Sequence, residues 1–255
     1  MDLGLKDKVA VVVGGSSNIG RACSLRLVEE GAKVVIAYSS NDQKADESLA
    51  DMIAAGGEGC AYKFKADTSQ EDQVDKLFNF VLEKFGGIDI LIYSAMSWPT
   101  NKVVDIPLAE WQRCIAVNLD GVFLTNRWLG NYWIKKGQKG GHILNFASQA
   151  AFKGSTTFHA HYAASKAGVV AFTVSFAKEV AKEGIYVNSI APGMTATVGK
   201  GWLTEEKAEY YKTRIPMGRI GTPEEMADIV AFLVSPKNSY MIGATVDVSG
   251  GMLCR

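Results

Sequence analysis

The stretch "KDKVAVVVGGSSNIGRA", residues 6–22, decides how the chain is read. Val9–Val13 is a short continuous apolar run, as expected of a strand covered on both faces. It gives way at once to Gly14-Gly15-Ser16-Ser17-Asn18-Ile19-Gly20. Ala22, Leu25, Leu27 and Val28 then recur at helical spacing up to the glycine stop in "EEGAK". A strand that turns through small residues into a helix presents free N–H groups and a positive dipole end, where a pyrophosphate can sit. The spacing is not G-x-G-x-x-G, and a glycine-rich turn also has the plainer reading of a turn alone. Residues elsewhere must decide.

Working outward, strand-like and helix-like stretches alternate. Strands are expected at 34–38, 60–66, 86–95, 141–148, 186–190 and 244–251. Helices are expected at 42–55, from Thr68 or Ser69 as N-cap to 85, at 107–136 and at 162–183. A late helix opens at "GTPEEMADIVAFLV" with Thr222 as N-cap, Pro223 at the first position and Glu225 as the capping-box acid. Such β-α-β alternation predicts an α/β, Rossmann-type, doubly wound parallel sheet of about seven strands with helices on both faces. No linker or repeat interrupts it, so one dinucleotide-binding and catalytic domain, 1–255, is expected.

Composition suits this reading. The 255 residues are 47% hydrophobic and 21% charged, enough for a sizeable core. Lys plus Arg and Asp plus Glu number 27 each, a balance that attracts neither nucleic acid nor an anionic membrane. Cys23, Cys60, Cys114 and Cys254 lie far apart with no CxxC pair. They read as reduced thiols in the cytoplasm, and no metal site is expected. "MDLGLKDK" lacks a signal-peptide pattern, and no run approaches the ~18 apolar residues of a membrane span.

Tyr162 and Lys166, four apart in "HAHYAASKAG", share one helix face. A tyrosine with its ordinary pKa near ~10 exchanges protons poorly at neutral pH, and an adjacent ammonium favours its phenolate. Alone, the pair also reads as two surface residues. Ser148, however, ends the fifth strand, where doubly wound sheets bind ligands. Asn118 lies mid-helix among apolar residues, and if buried it needs partners for its amide.

With the glycine stretch, Ser148, Tyr162 and Lys166 together, the sequence resembles the short-chain dehydrogenase/reductase family over essentially its whole length. Asp67 after the third strand, "IAPG" after the sixth, "PMGRIGTPEE" and "VDVSGGM" complete the resemblance. It implies hydride transfer between nicotinamide C4 and a carbon bearing oxygen. Tyr162 would be the acid/base. Lys166 would lower its pKa and bind the nicotinamide ribose. Ser148 would hold the substrate oxygen, and Asn118 would support a water linking Lys166 to solvent. Gly14, Ser16, Ser17, Asn18, Ile19 and Gly20 would cradle the pyrophosphate. Asp67 would face the adenine, Ser94 and Ala95 would flank the cofactor, and Pro192, Gly193 and Thr197 would line the nicotinamide.

Two motifs depart from the family pattern. Val13 and Asn18 replace a Thr and a Gly of the glycine loop, and Asn tolerates a left-handed backbone. "YSAM", 93–96, stands where the family usually has Asn-Asn-Ala-Gly. A repacked strand end is the preferred reading, and a reshaped pocket beside the nicotinamide is the alternative.

For the cofactor, Tyr38, Ser39, Ser40 and Asn41 are uncharged where an acid would hold the 2′-hydroxyl of NAD. Lys44 lies one turn on, although no arginine occupies the glycine loop or strand end. NADP(H) is therefore favoured over NAD(H). For the substrate, Trp98, Gln149, Phe152, His159 and Trp202 are the expected pocket residues, with His161, Phe158, Tyr210 and Tyr211 nearby. Aromatic walls suit a small apolar or cyclic carbonyl or alcohol.

The alternative within the family is a 3-oxoacyl-[acyl-carrier-protein] reductase. It ranks second because Gly137 and Glu183 stand where basic residues would dock an acidic carrier, although Lys135, Lys136 and Lys139 lie near. A catalytically inactive nucleotide-binding regulator is the alternative of another class. The apolar faces of 108–133 and 163–180, with 229–234 and 244–248, predict a homotetramer.

Overall fold

The computed structural model describes residues 1–155, 157–196 and 204–253. All five residues of β1 (Val9–Val13) are buried, and they divide between two cores. Ala10 and Val12 join the core that also holds Leu27, Met52 and Val230, whereas Val9, Val11 and Val13 join that of Phe78, Leu129 and Val169. The alternation follows from the two-residue period of a strand, and burial on both faces explains the unbroken apolar run.

Helix α1 (Asn18–Glu29) leads to β2 (Lys33–Tyr38), α2 (Asp42–Gly56), β3 (Ala61–Lys65), α3 (Glu71–Phe85) and β4 (Ile90–Tyr93). Helix α4 (Leu108–Ile115) continues through a π-helical turn (Ala116–Asp120) into α5 (Gly121–Lys136). Then come β5 (Gly141–Phe146), the short α6 (Ala150–Lys153), α7 (Ala160–Val180), β6 (Ile185–Pro192), α8 (Glu205–Lys212), α9 (Pro223–Leu233) and β7 (Thr245–Val248). The strands form one seven-stranded parallel sheet in the order β3-β2-β1-β4-β5-β6-β7. The chain runs outward from β1 to β3 and then returns to place β4 on the other side of β1. The crevice at the carboxyl ends of β1 and β4 is the switch point where such sheets bind ligands. Among the described residues no helix is long and apolar enough to cross a membrane.

Boundaries mostly shift by a residue or two, and three differences carry physics. Gln70, not Thr68 or Ser69, is the N-cap of α3, and its side chain makes no capping bond. Ser69 instead turns back to Asp67, donating from both N (3.1 Å) and Oγ (2.7 Å) to Oδ1. The helix expected over 107–136 is broken in phase by the π turn. Helices α6 and α8 were not expected. The late helix starts as read: Thr222 and Glu225 complete a capping box behind Pro223.

Candidate active site

Gly14 takes φ +82° and Asn18 φ +49°, so the loop after β1 uses the left-handed region where Gly and Asn are tolerated. Space demands glycine as well. A Cβ on Gly14 would lie 2.7 Å from the Ala95 amide nitrogen, and one on Gly20 would lie 2.2 Å from the Gly14 carbonyl oxygen. The loop is held by Gly14 N to Ala37 O (2.8 Å) and by Ser48 Oγ to Gly15 O (3.0 Å). No side chain caps the N-terminus of α1, and its first turn carries no acid. Its free N–H groups therefore lie beside a cavity of about 680 Å³ that Gly14, Ser16, Ser17, Asn18, Ile19 and Gly20 line.

The altered "YSAM" explains itself residue by residue. Tyr93 is fully buried and points away from the crevice. Its hydroxyl donates to Val117 O at 2.7 Å and bonds Thr68 Oγ1 at 3.0 Å. That carbonyl belongs to the π turn. A Cβ on Gly121 would lie 2.0 Å from the Tyr93 hydroxyl, so the pair fit only together. Ser94 donates twice to the Val13 carbonyl, from N and from Oγ, both at 2.9 Å. Met96 lines the cavity and is half exposed. The repacked strand end describes Tyr93 and Ser94, and the reshaped pocket describes Met96.

Asn118 is buried inside the π turn, and its amide is fully used. Oδ1 accepts from Ser97 N at 2.7 Å, while Nδ2 donates to Ser97 O at 2.9 Å and Ser165 Oγ at 3.0 Å. Ser165 Oγ in turn donates to Tyr162 O at 2.7 Å. Asn118 thus ties the loop after β4 to the first turn of α7.

Ser148, Tyr162 and Lys166 converge on one part of the cavity. The Ser148 hydroxyl accepts from Ala150 N at 3.1 Å and lies close enough to the Tyr162 phenol to lower its pKa. Lys166 Nζ lies 5.7 Å from the Tyr162 ring centroid and donates to Phe146 O at 2.6 Å. Lys166 was expected to hold the phenol's pKa down. In this geometry burial raises it above the ordinary tyrosine value, and the Ser148 hydroxyl pulls the other way. Burial also pushes the Lys166 ammonium down to about 8. A phenol and a hydroxyl in the lining of one cavity can hydrogen-bond a substrate oxygen and pass it a proton.

Toward the other end, Tyr38, Ser39, Ser40, Asn41 and Lys44 line the cavity. Asp42, the acid that follows Asn41, is outside the lining and is engaged by the Tyr38 hydroxyl (2.8 Å) and by Lys65 Nζ (2.8 Å). Asp67 also lines the cavity, clamped by Arg113 Nη1 at 2.8 Å and by Ser69. Ser94, Ala95, Pro192 and Gly193 are lining residues as expected, while Thr197 and Trp202 lie outside the described residues.

On the substrate side, Trp98 stacks on His159 with ring centroids 4.3 Å apart, and both line the cavity, as does Gln149. Phe152 does not: α6 carries it away from the lining. His161 is fully buried outside the cavity, with Nε2 3.4 Å from Glu110 Oε1. Glu110 accepts from Asn101 Nδ2 on both oxygens, at 2.9 and 3.1 Å, and Asn101 N donates to Phe158 O at 2.9 Å. His159 Nδ1 bonds Pro99 O at 2.7 Å. The loop 97–101 is therefore latched to α4 and to the start of α7. The sequence reading missed Arg113, Lys153, Thr195 and Arg214, which also line the cavity. A cation or threonine in a loop or on a polar helix face gives no local signal of this kind.

A dinucleotide fits these residues. The glycine loop lines the cavity with backbone packed too closely against Ala95, Ile36 and Ser94 to carry a Cβ at Gly14, Gly15 or Gly20, and Gln149 Oε1 and Thr195 Oγ1 are buried in the lining without hydrogen-bond partners among the described residues.

A parallel doubly wound sheet, with a glycine cradle at its switch point and a Ser-Tyr-Lys cluster at its mouth, is the framework of a nicotinamide-dependent oxidoreductase acting on carbonyl or alcohol groups. Comparisons with known proteins agree. A family profile described as Enoyl-(Acyl carrier protein) reductase matches residues 13–253. The chain is 39% identical over 251 residues to a 3-oxoacyl-[acyl-carrier-protein] reductase of Synechocystis, covering 98% of each chain. It is 34% identical over 252 residues to one of Aquifex aeolicus, covering 99% of this chain and 100% of the other. The solved short chain dehydrogenase from Bacillus anthracis superposes with a TM-score of 0.91 at 34% identity, over 99% of this chain and 98% of that one. The chain belongs to the short-chain dehydrogenase/reductase family.

Proposed function

We propose that the chain is a cytoplasmic, single-domain reductase that uses NADPH to convert the 3-oxo group of an acyl thioester to a hydroxyl. The observation that carries this is the placement of Ser148, Tyr162 and Lys166 in the lining of the same cavity as the glycine cradle. When bound, the reduced nicotinamide supplies the hydride. Ser148 hydrogen-bonds the substrate carbonyl oxygen, and Tyr162 Oη donates its proton to that oxygen as the carbon is reduced. Burial keeps the phenol protonated and able to donate. Lys166, held by the Phe146 carbonyl, is the cation beside the phenol as its proton leaves, and it is placed to bind the cofactor ribose. Asn118 fixes the loop and helix that carry these groups.

The relatives' names favour the 3-oxoacyl substrate, which the sequence reading ranked second, over a small apolar or cyclic one. The family profile's name points to an enoyl substrate. The hydroxyls of Ser148 and Tyr162 in one cavity lining suit delivery of a proton to oxygen, as C=O reduction requires. For the cofactor, Ser39, Ser40, Asn41 and Lys44 line the ribose end without a free carboxylate, which suits a 2′-phosphate. The test is loss of reduced-nicotinamide absorbance with acetoacetyl-coenzyme A, crotonyl-coenzyme A and cyclohexanone, each with NADPH and with NADH. Turnover of the first with NADPH, well above all other combinations, is the expected result. Preference for crotonyl-coenzyme A or for cyclohexanone would replace the substrate assignment, and preference for NADH would replace the cofactor assignment.

A further inference from the structure

The charges lining the cavity are unbalanced. Among the described lining residues the cations are Lys44, Arg113, Lys153, Lys166 and Arg214, and the single carboxylate is Asp67. Three of the five are accounted for. Arg113 pairs with Asp67 at 2.8 Å, Lys166 donates to the Phe146 carbonyl beside Tyr162, and Lys44 lies with Ser39 and Ser40 at the far end. Lys153 and Arg214 remain, and neither enters an ion pair among the described residues.

Both stand at the substrate end. Lys153 is the last residue of α6, the turn of helix that follows Ser148 and Gln149 and ends at Gly154, φ +69°. Arg214 follows α8, whose Tyr210 and Tyr211 line the same cavity. Its guanidinium lies 4.2 Å from the Tyr210 ring centroid. That cation–π contact holds the arginine in place without neutralising it. Unbalanced cations lining a cleft attract an anion, and an arginine fork with a lysine point charge suits a phosphate.

We propose that Lys153 and Arg214 form a subsite for the phosphate of a phosphopantetheine arm that carries the acyl thioester. The proposal rests on the 3-oxoacyl thioester reading above. It also accounts for the missing cations at Gly137 and Glu183. Those residues cap α5 and precede β6, at the amino-terminal ends of β5 and β6, away from the carboxyl-end crevice. The cationic contact lies instead at the cavity mouth, where the arm itself passes. Coenzyme A and an acyl carrier protein present the same phosphorylated arm.

The probes are 4′-phosphopantetheine and pantetheine, which differ by one phosphate, titrated calorimetrically into the protein saturated with NADP+. The phosphorylated probe is expected to bind about tenfold tighter or more, the scale of one charge-assisted hydrogen bond. Lys153→Ala and Arg214→Ala should each remove most of that difference and leave pantetheine and NADP+ affinities unchanged. Equal affinity for the two probes in the unaltered protein overturns the subsite, and that arm needs no variant. A fall in NADP+ affinity in the variants also overturns it, by placing the cations on the cofactor. The source is read from KM for acetoacetyl-coenzyme A and for an acetoacetyl carrier protein: a rise in the variants for either one identifies it, and a rise for neither overturns the proposal. Tight phosphopantetheine binding without turnover of either thioester would retain the subsite and sink the 3-oxoacyl reading.

Discussion

Tyr162 and Phe differ by one hydroxyl and almost no volume, so Tyr162→Phe isolates the proton donor. Turnover should fall by about 10²-fold or more with cofactor affinity retained, whereas Lys166→Ala should lose both. Turnover of Tyr162→Phe within tenfold of the unaltered protein would falsify the assignment. The Tyr93–Gly121 pair makes a second residue-scale test. Gly121→Ala should destabilise the fold by about 1–3 kcal/mol, because the new methyl has no room beside a packed hydroxyl. In a Tyr93→Phe background the same change should cost less, since the clashing oxygen is gone, and urea denaturation of the double-mutant cycle measures the coupling. Strict additivity would mean that the two residues do not share the space. Asn18 was legible because its residue type suits the left-handed backbone it takes, whereas Ser148, Tyr162 and Lys166 stood out only as a set, through the family resemblance. Arg113 and Glu110 were not legible: their partners, Asp67 and Asn101 with His161, are distant in sequence and meet only in the fold.

At the scale of elements, α4 joins several parts of the site. Glu110, Arg113 and Cys114 reach from one short helix to the substrate loop, to Asp67 and to the Ser97 carbonyl. Glu110→Gln keeps the shape but removes the charge that holds Asn101 and faces His161. The expected outcome is a KM raised by about tenfold, with kcat and cofactor affinity near those of the unaltered protein. A loss confined to kcat would move Glu110 from the loop to the chemistry. Strands and the Thr222 capping box were readable because their signals are local. The π turn was not; it packs against Tyr93, two elements earlier, and nothing local to 116–120 marks it.

At the scale of the whole molecule, the amino-terminal end of β5, away from the crevice, holds a titration. His142 is buried and stacks on Tyr186 at 4.7 Å. Burial, with Lys8 second, holds its pKa down to about 4, and Asp89 opposes them. An unfolded imidazole takes its proton near 6.5, so between these values the unfolded chain binds a proton that the folded chain refuses. Stability should therefore fall as pH drops from 6.5 toward 4, by at most about 3 kcal/mol from this group. The slope of urea midpoints over that range should flatten in His142→Phe; an unchanged slope in the variant would assign the acid sensitivity to other groups. Assembly is proposed on the same scale. Leu129, Trp133 and Val169 prove to be intrachain core, but Phe123, Ile229 and Phe232 remain over a third exposed. A homotetramer that covers them should sediment at four chain masses, and a stable monomer would return those faces to solvent.

The π turn at Ala116–Asp120 has a mechanical consequence. Each residue of an α-helix advances the rod by about 100°, so one extra residue in a turn re-clocks everything after it. Before the turn, the rod points Glu110 and Arg113 at the site. After it, the same rod points Leu129 and Trp133 into the sheet. Deleting one residue from 116–120 would force both halves onto a single clock, and either the site or the core would face the wrong way. With the offset in place, each half can accept substitutions on its own schedule, and the reaction this scaffold hosts can change without redesign of the interior beneath it.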